Sequence, residues 1–529
     1  MSDLDQATEK KLLATDLRDL SEVIGLTESA LEKGLGDENQ KFANSLLASC
    51  LIERGNLMAQ AILGSRGPDP RWPQLRQAAL IDLQKALEID EDQPEAQLLV
   101  GRLNTLPGGD PKLALESLNK VIASTRADTA MLAEAHTARA GLRERDGDRL
   151  ADLNKAIELA PARVEAIRAR GLYHLLKEKP DLAVADLQQA VELDESHSAT
   201  LEALGAAYAL NGQNDKALEA LSRAVELSPQ SPTPLTQRAR LRALQGDNDG
   251  ALDDLQKAIE IDPASIPALL LRARVFYQAE KPQRALQDVQ HALRLQPNFL
   301  PALRLRAELL AGSGKIGDAI ADLERLTEAL PTNSELLLQL GMFYVANEQP
   351  RRGIKMFAAV LESDPDNILA LRGRADAYLS VGRQADAIAD YEAVLRRDPE
   401  NGSVLNNLAW VLATSPNEAL RDGIRAVELA KNACEHTEYK QGHILSTLAA
   451  AYAETGDFEK ARQWSTKAVE IGESEQIDQL KAELESYRQD KPWREKQSIA
   501  EQVEENDEKA AEATQPTDGE PNTAAAETP

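Results

Sequence analysis

A chain of 529 residues is longer than one hydrophobic core serves, since single cores stop growing at about 250–300 residues. Its 43% apolar content must therefore be divided among domains or spread along an array in which each unit needs only its neighbours. Aromatic residues are only 4% and Ala and Leu recur throughout, which favours close-packed helices over sheets. The formal charge of −27 leaves no surplus of Lys and Arg for phosphate and excludes nucleic acid as the main partner.

The N-terminus, Met1 to Gln6, has no basic region followed by an apolar run. No secretory signal is expected, and the cytoplasm is the expected location. Residues 4 to 34 predict one helix or a helical pair. The most apolar stretch, Leu46 to Leu63, is interrupted by Glu53 and Arg54, so it is expected to be too polar for a bilayer and no membrane insertion is expected. Asp82 to Leu87 and Leu115 to Lys120 predict second helices of two irregular helix pairs, the first with a long loop around Gly67, Pro68, Asp69 and Pro70. Residues 1–94 are thus expected to form an atypical helical cap with a degenerate first repeat, and 95–129 a second degenerate unit.

From there the chain is periodic. Proline falls at 229, 263, 297, 331, 365 and 399, always 34 residues apart. Counting from Ser198, position 4 is Leu201, 7 is Leu204, 8 is Gly205, 11 is Tyr208, 20 is Ala217, 24 is Leu221, 27 is Ala224 and 32 is Pro229. Small residues at 8, 20 and 27 let two helices cross closely, and large ones at 4, 11 and 24 fill between them. Gly212, Gly246, Gly314 and Gly382 stand at position 15, where a left-handed residue ends the first helix. Proline at 32 stops the second. Units beginning at Ala130, Val164, Ser198, Pro232, Ile266, Leu300, Ser334 and Ile368 follow without a gap, so eight repeats span 130–401.

These residues resemble the tetratricopeptide (TPR) family. The resemblance implies an all-α fold, a right-handed solenoid built as a superhelix of antiparallel helix pairs, here about twelve of them. Two more units with a loop insertion at Thr414 to Arg421 are expected over 402–475 and a capping helix over 476–496. The run Asn406 to Pro416, NNLAWVLATSP, with the closing Tyr487 to Arg494, resembles the C-terminal module of bacterial multi-TPR proteins. Residues 497–529 hold nine acids against one Lys and almost no apolar side chain, and a disordered tail is expected. That tail, tethered beside the final repeat, is expected to hover over nearby arginines.

Little here suggests catalysis. Gly312, Ser313, Gly314 and Lys315 look like part of a phosphate-binding loop, but Ile316 follows where Ser or Thr is needed and the string fills a turn between helices. Cys434, His436 and His443 are the only cluster of metal-ligand types and lack an evident fourth member. Cys50 and Cys434, the only cysteines, exclude a disulfide framework and fit a reducing compartment. His174 takes an aromatic packing position. No cofactor, metal or enzymatic activity is expected.

Two positions switch together. Position 7 is Arg at Arg170, Arg238, Arg272, Arg306 and Arg374, and in those repeats position 23 is Asp186, Asp254, Asp288, Asp322 and Asp390. Where position 7 is Leu204 or Leu340, position 23 is Ala220 or Met356. A partly buried ion pair inside each repeat is the simplest cause, because a lone charge there would be costly.

The family resemblance implies a concave groove lined by first helices, with side chains near positions 2, 5, 9, 12 and 13 facing it. Those positions give Arg168, Arg240, Arg274, Arg304 and Arg372, with Tyr277, Asn406 and Trp410 as further anchors. Arginine and aromatic side chains anchor interfaces, and the guanidinium fork suits carboxylate. A scaffold holding an acidic peptide or protein segment is therefore expected. The alternative is an adaptor or regulatory subunit of an enzyme, chaperone or secretion complex. The Lys and Asn clamp of chaperone-binding TPR domains is missing, and the sequence leaves the oligomeric state open.

Overall fold

The computed structural model describes residues 2–63, 71–473 and 476–495, and among them it contains twenty-seven α-helices, one 3-10 turn and no strand. The loop around Gly67 to Pro70 and the acidic tail lie outside the described residues. The chain divides into two compact units, Met1–Leu271 and Arg272–Pro529.

The first unit runs α1 (Asp3–Lys11), α2 (Leu17–Glu32), α3 (Asp37–Leu63), α4 (Trp72–Ile89), α5 (Pro94–Thr105), α6 (Pro111–Ala123), α7 (Thr129–Leu142), α8 (Asp146–Leu159), α9 (Val164–Leu176), α10 (Pro180–Leu193), α11 (Ser198–Leu210), α12 (Asn214–Leu227), α13 (Pro232–Leu244) and α14 (Asn248–Ile261). The division falls within α15 (Ile266–Gln278). The second unit continues with α16 (Pro282–Leu295), α17 (Leu300–Gly312), α18 (Ile316–Ala329), α19 (Ser334–Ala346), α20 (Pro350–Ser363), α21 (Ile368–Ser380), α22 (Gln384–Arg397), α23 (Gly402–Thr414), α24 (Gly423–His436), α25 (Gly442–Glu454), α26 (Phe458–Ile471) and α27 (Ile477–Arg488). From α1 to α14 and from α16 to α27 each helix packs on its chain neighbours, and in the first unit the first helices α3, α5, α7, α9, α11 and α13 also adjoin in succession.

The 34-residue period fixes the helix ends. First helices start at Val164, Ser198, Pro232, Ile266, Leu300, Ser334, Ile368 and Gly402, and second helices at Pro180, Asn214, Asn248, Pro282, Ile316, Pro350 and Gln384. Several second helices open on proline, whose missing N–H is one the helix leaves unused there anyway. Asn333, Asn367 and Asn401 cap the first helices that follow them by accepting from the amides of Leu336, Ala370 and Val404. The turn at position 15 is left-handed at Gly212 (φ +70°) and Gly246 (φ +85°), and the next amide returns to a carbonyl five residues back, Gln213 N–H to Tyr208 at 2.8 Å. Glu178, Glu280 and Glu348 hold the same position at φ 52°, 57° and 59°. The turn is thus imposed by packing even where no glycine supplies it.

At the crossing inside each pair, a Cβ placed on Gly205 would come within 2.7 Å of Leu221 Cγ. Ala217 and Ala224 are fully buried on the other side. A larger residue at any of these points pushes the pair apart and removes the contacts that a close-packed interior relies on.

Beside that crossing sit the Arg and Asp residues. Arg170 donates Nε and Nη2 to the two carboxylate oxygens of Asp186 at 2.9 and 2.7 Å, and Arg238, Arg272, Arg306 and Arg374 grip Asp254, Asp288, Asp322 and Asp390 in the same two-bonded way. The aspartates are buried and the arginines mostly so. Hydrogen bonding to the aspartate raises the pKa of Arg170, Arg306 and Arg374 above the usual guanidinium value. The third nitrogen of some forks reaches the preceding repeat: Arg170 Nη1 donates to Asn154 Oδ1 at 3.0 Å and Arg238 Nη1 to Ser222 Oγ at 3.1 Å. Arg272 and Arg374 also lie against the rings of Phe276 and Tyr378, one helical turn on. In the repeats with leucine at position 7, Leu204 packs beside Ala220 in an apolar cluster.

Two more buried aspartates are held in a similar way, one outside the 34-residue frame and one inside it with added donors. Arg54 on α3 binds both oxygens of Asp82 on α4 at 2.6 and 2.7 Å across the long loop. In the unit opening at α7, Asp152 accepts from His136, Arg139 and Arg143. Burial alone would raise the Asp152 pKa, but those donors hold it below the ordinary carboxylate value.

The expectation for Leu46 to Leu63 needs correction. Helix α3 is, by length and composition, apolar enough to cross a membrane, because Glu53 and Arg54 dilute its hydropathy less than expected. Half of its apolar window is buried in the protein, and it packs on α2, α4 and α5 with Arg54 held inside the fold.

Asp288→Ala is expected to lower stability by about 3 kcal/mol, since it strands a half-buried charge. Arg272→Leu with Asp288→Ala, which copies the pairing of Leu204 with Ala220, is expected to lose markedly less; thermal or denaturant melts giving strictly additive losses would reject the coupling. Glu348→Gly relieves a left-handed non-glycine residue and is expected to raise stability by about 1 kcal/mol in the same melts.

Candidate functional site

The eight anchors expected from the sequence fall in different surroundings. In the first unit, Arg240 on α13 is exposed and has no ion pair among the described residues, while Arg168 on α9 is half-buried near His197, whose pKa is lowered by burial first and by Arg168 second. In the second unit Arg274 on α15 is exposed and Tyr277 is 42% exposed. Arg304 is already engaged, with Nη2 2.5 Å from Glu335 and Nε 3.6 Å from Glu308. Arg372 lies close to Asp376, whose pKa burial raises and Arg372 partly restores. Asn406 and Trp410 on α23 line a cavity.

Position 13 adds something that charge alone does not reveal. Leu176, Leu210 and Leu244 end the three adjoining helices α9, α11 and α13 and are 68%, 56% and 80% exposed. Single exposed leucines are ordinary, but three at one repeat position form an apolar row. Arg240 stands four residues before Leu244 on the same helix face.

The cavity in the second unit, about 320 Å³, lies among α21, α23, α25 and α27. Leu379, Leu480 and the Trp410 ring form its apolar walls, and Asn406, Asn407, His443, Ser446, Thr447, Gln476, Gln479 and Glu483 supply its polar surface. Glu483 is fully buried, accepting from the Ser446 hydroxyl and, at 3.0 Å, from Gln479 Nε2. Burial pushes its pKa up, as it does for Asp376 and Glu495. Asp376 accepts from the Tyr391 hydroxyl and from Asn407 Nδ2 at 3.4 Å. The Trp410 indole donates to Glu495 at 2.9 Å, and the Glu495 amide bonds the Thr414 carbonyl, so the segment after α27 returns across α23. Tyr487 is fully buried, and Trp493 packs on the same core.

Sequence reasoning named Asn406 and Trp410, and His443 only as a metal-ligand type, but missed Ser446, Gln479 and Glu483, because α25 and α27 fall outside the strict register. One sign was present: Glu483 shares a helical face with the buried Leu480, Leu484 and Tyr487.

The other candidates sit where packing explains them. His174 is buried, Nε2 3.8 Å from Asp186, and desolvation lowers its pKa. The Cys434 thiol is buried toward the Ile444 carbonyl and pushed up to about 12, whereas His443 faces the cavity. Among the described residues no group of three or more His, Cys, Asp or Glu is arranged to hold a metal ion. Gly314 occupies the turn between α17 and α18 at φ +74°.

Family models described as tetratricopeptide repeat match residues 168–232, 204–276, 270–334, 338–402, 374–420 and 442–473, together more than half of the chain. A DnaJ homolog subfamily C member 3 from Rattus norvegicus is 31% identical over 87 residues, 16% of this chain and 17% of that protein, so the chain spans only that small part of the relative's length. A tetratricopeptide repeat protein from Parabacteroides merdae is 18% identical in structural alignment, covering 56% of this chain and 99% of that one at a TM-score of 0.32. YrrB, described as a TPR protein with an unusual peptide-binding site, is 20% identical, covering 35% of this chain and 95% of that one at a TM-score of 0.30.

The buried carboxyls give a pH prediction. Glu483 keeps its proton to higher pH folded than unfolded, so its contribution is fully present below the ordinary value of 4.5 and is withdrawn as pH rises through the raised native value. Glu483→Gln is expected to leave acid stability unchanged and to flatten the decline above that point, read as the melting temperature across a pH series. An unchanged slope would contradict the assignment.

Proposed function

The chain belongs to the tetratricopeptide repeat family, and from that membership we propose that it is a protein-interaction scaffold whose first helices hold a partner segment carrying carboxylates and evenly spaced apolar side chains. The row of exposed Leu176, Leu210 and Leu244 is the observation that carries this reading. Packed helices lie about 8–10 Å apart, so the row repeats at about the distance an extended chain covers in three residues. A partner with leucine or a similar side chain at every third residue matches it. Arg240 beside the row supplies the fork for an intervening carboxylate, and Arg274 and Arg372 offer the same chemistry in the second unit.

Nothing in this reading calls for catalysis. The charged groups recur with the repeat, whereas an acid–base or nucleophilic site needs one arrangement found once. Two unpaired, buried cysteines, Cys50 and Cys434, support placing the protein in a reducing compartment such as the cytoplasm.

Fluorescence polarisation with labelled peptides tests the proposal. A peptide with leucine at every third position and Asp or Glu between is expected to bind, and the same peptide with Lys between is not. Leu210→Asp is expected to weaken binding by about tenfold, or about 1.4 kcal/mol. Equal binding of the two peptides, or an unaltered Leu210→Asp protein, would overturn it.

A further inference from the structure

We propose that the cavity among α21, α23, α25 and α27 is a separate binding site for the ammonium or guanidinium group of one basic side chain, as in a lysine or arginine of a bound segment. This goes beyond the scaffold reading, because the cavity selects the charge opposite to the one the surface arginines attract, and small-molecule probes test it independently of any acidic segment.

Three features carry the inference. Among the described residues no Lys or Arg lines the cavity, although the chain has 60 of them. Arg494 and Arg372 are absent from its lining: Arg494 is bonded to Glu454 and the Ala413 carbonyl, and Arg372 lies beside Asp376. An anion entering here would meet the Glu483 carboxyl with no fixed cation to receive it.

Acceptors are also under-used. Asn406 Oδ1 is buried without a hydrogen-bond partner, and each Glu483 oxygen accepts one bond where an ionised carboxylate has room for about two. A group that only donates completes this set, and ammonium and guanidinium are permanently charged side-chain heads that donate without accepting. Burial raises the Glu483 pKa, the direction that an incoming cation reverses.

The walls fit the stem as the floor fits the head. Leu379, Leu480 and Trp410 present apolar surface along which a three- or four-carbon chain lies, and an indole face favours a nearby cation. At about 320 Å³ the volume is at the lower end of ordinary ligand pockets, about 300–1,000 Å³. It holds one side chain and not a large cofactor.

The test uses the full chain with uniform ¹⁵N labelling and follows the four tryptophan indole N–H signals, Trp410 being assigned by its loss in Trp410→Phe. n-Butylguanidinium and n-butylammonium are titrated as probes, with butyrate, n-butyramide and calcium chloride as controls. The expected result is a saturable shift of the Trp410 signal with the two organic cations only. Glu483→Gln is expected to weaken it and Asn406→Asp to strengthen it, each by roughly tenfold, the order of one charge-assisted hydrogen bond. Because Asn406→Asp adds affinity, it remains informative if Glu483→Gln disturbs the last helix. Equal shifts with butyrate, butyramide or calcium, or a response unaltered in both variants, would overturn the proposal.

Discussion

The crossing of the two helices within each pair constrains everything else in this protein. Glycine at Gly171, Gly205 and Gly341 brings the helices so close that the facing Leu187, Leu221 and Phe357 fill the space a Cβ would need. With that distance set, the neighbouring position 7 side chain has only two stable solutions: an apolar residue meeting an apolar one, or a cation fully met by its counter-ion. The chain uses both, Leu204 with Ala220 and Arg238 with Asp254. Because the first solution is non-directional and the second is not, the choice affects how repeats stack as well as how each pair closes.

The same constraint explains where unusual chemistry appears. Inside the strict register the buried charges at positions 7 and 23 repeat and are matched to each other, so those positions leave nothing for a ligand to complete. The cavity lies instead where α25 and α27 leave the register. There α27 turns Glu483 toward Ser446 of α25, while the segment behind it crosses back to bond Trp410 and the Thr414 carbonyl. A closing helix that does not follow the repeat pattern covers the end of the stack without interdigitating completely, and the space left is lined by whatever side chains happen to face it.

Much of this fold was legible from sequence, because proline and small residues recurring every 34 residues report directly on helix ends and crossings. The Arg and Asp partners were legible for a different reason: two positions that change together across repeats of one chain carry information about contact that no single repeat holds. The same inference stopped at Arg54 and Asp82, although Asp82-Leu83-Gln84-Lys85-Ala86 has the same residues as Asp254 to Ala258. The long loop between α3 and α4 breaks the fixed spacing on which the comparison depended. The cavity was only half legible. Asn406 and Trp410 belong to a recognisable run, but which faces of α25 and α27 meet depends on tertiary packing that has no period. Position 7 of the unit opening at α7 illustrates a third limit, since His136 there is joined on Asp152 by Arg139 and Arg143, whose sequence positions give no hint of convergence.

The arginine forks carry one more consequence. A leucine at position 7 gains the same burial over a range of small slides between repeats, since apolar contact is roughly proportional to area and indifferent to direction. An arginine bonded through Nε and Nη2 to Asp186 has its plane fixed, and its remaining nitrogen then points to one place, Asn154 on the preceding second helix. Arg238 repeats the arrangement with Ser222, and Arg54 reaches Ser21 of α2 in the same way at 2.8 Å. Each of these three forks therefore ties a pair internally and orients it on its predecessor with a single planar group. In a stack of near-identical units, where apolar contacts alone would tolerate several registers, directional bonds at intervals select one of them. The ion pairs are thus better understood as setting the spacing of the repeats than as adding net stability, which partly buried pairs supply only weakly. That spacing is what places Leu176, Leu210 and Leu244 at regular intervals on α9, α11 and α13. In this way an interaction inside the repeats governs the pattern presented outside them.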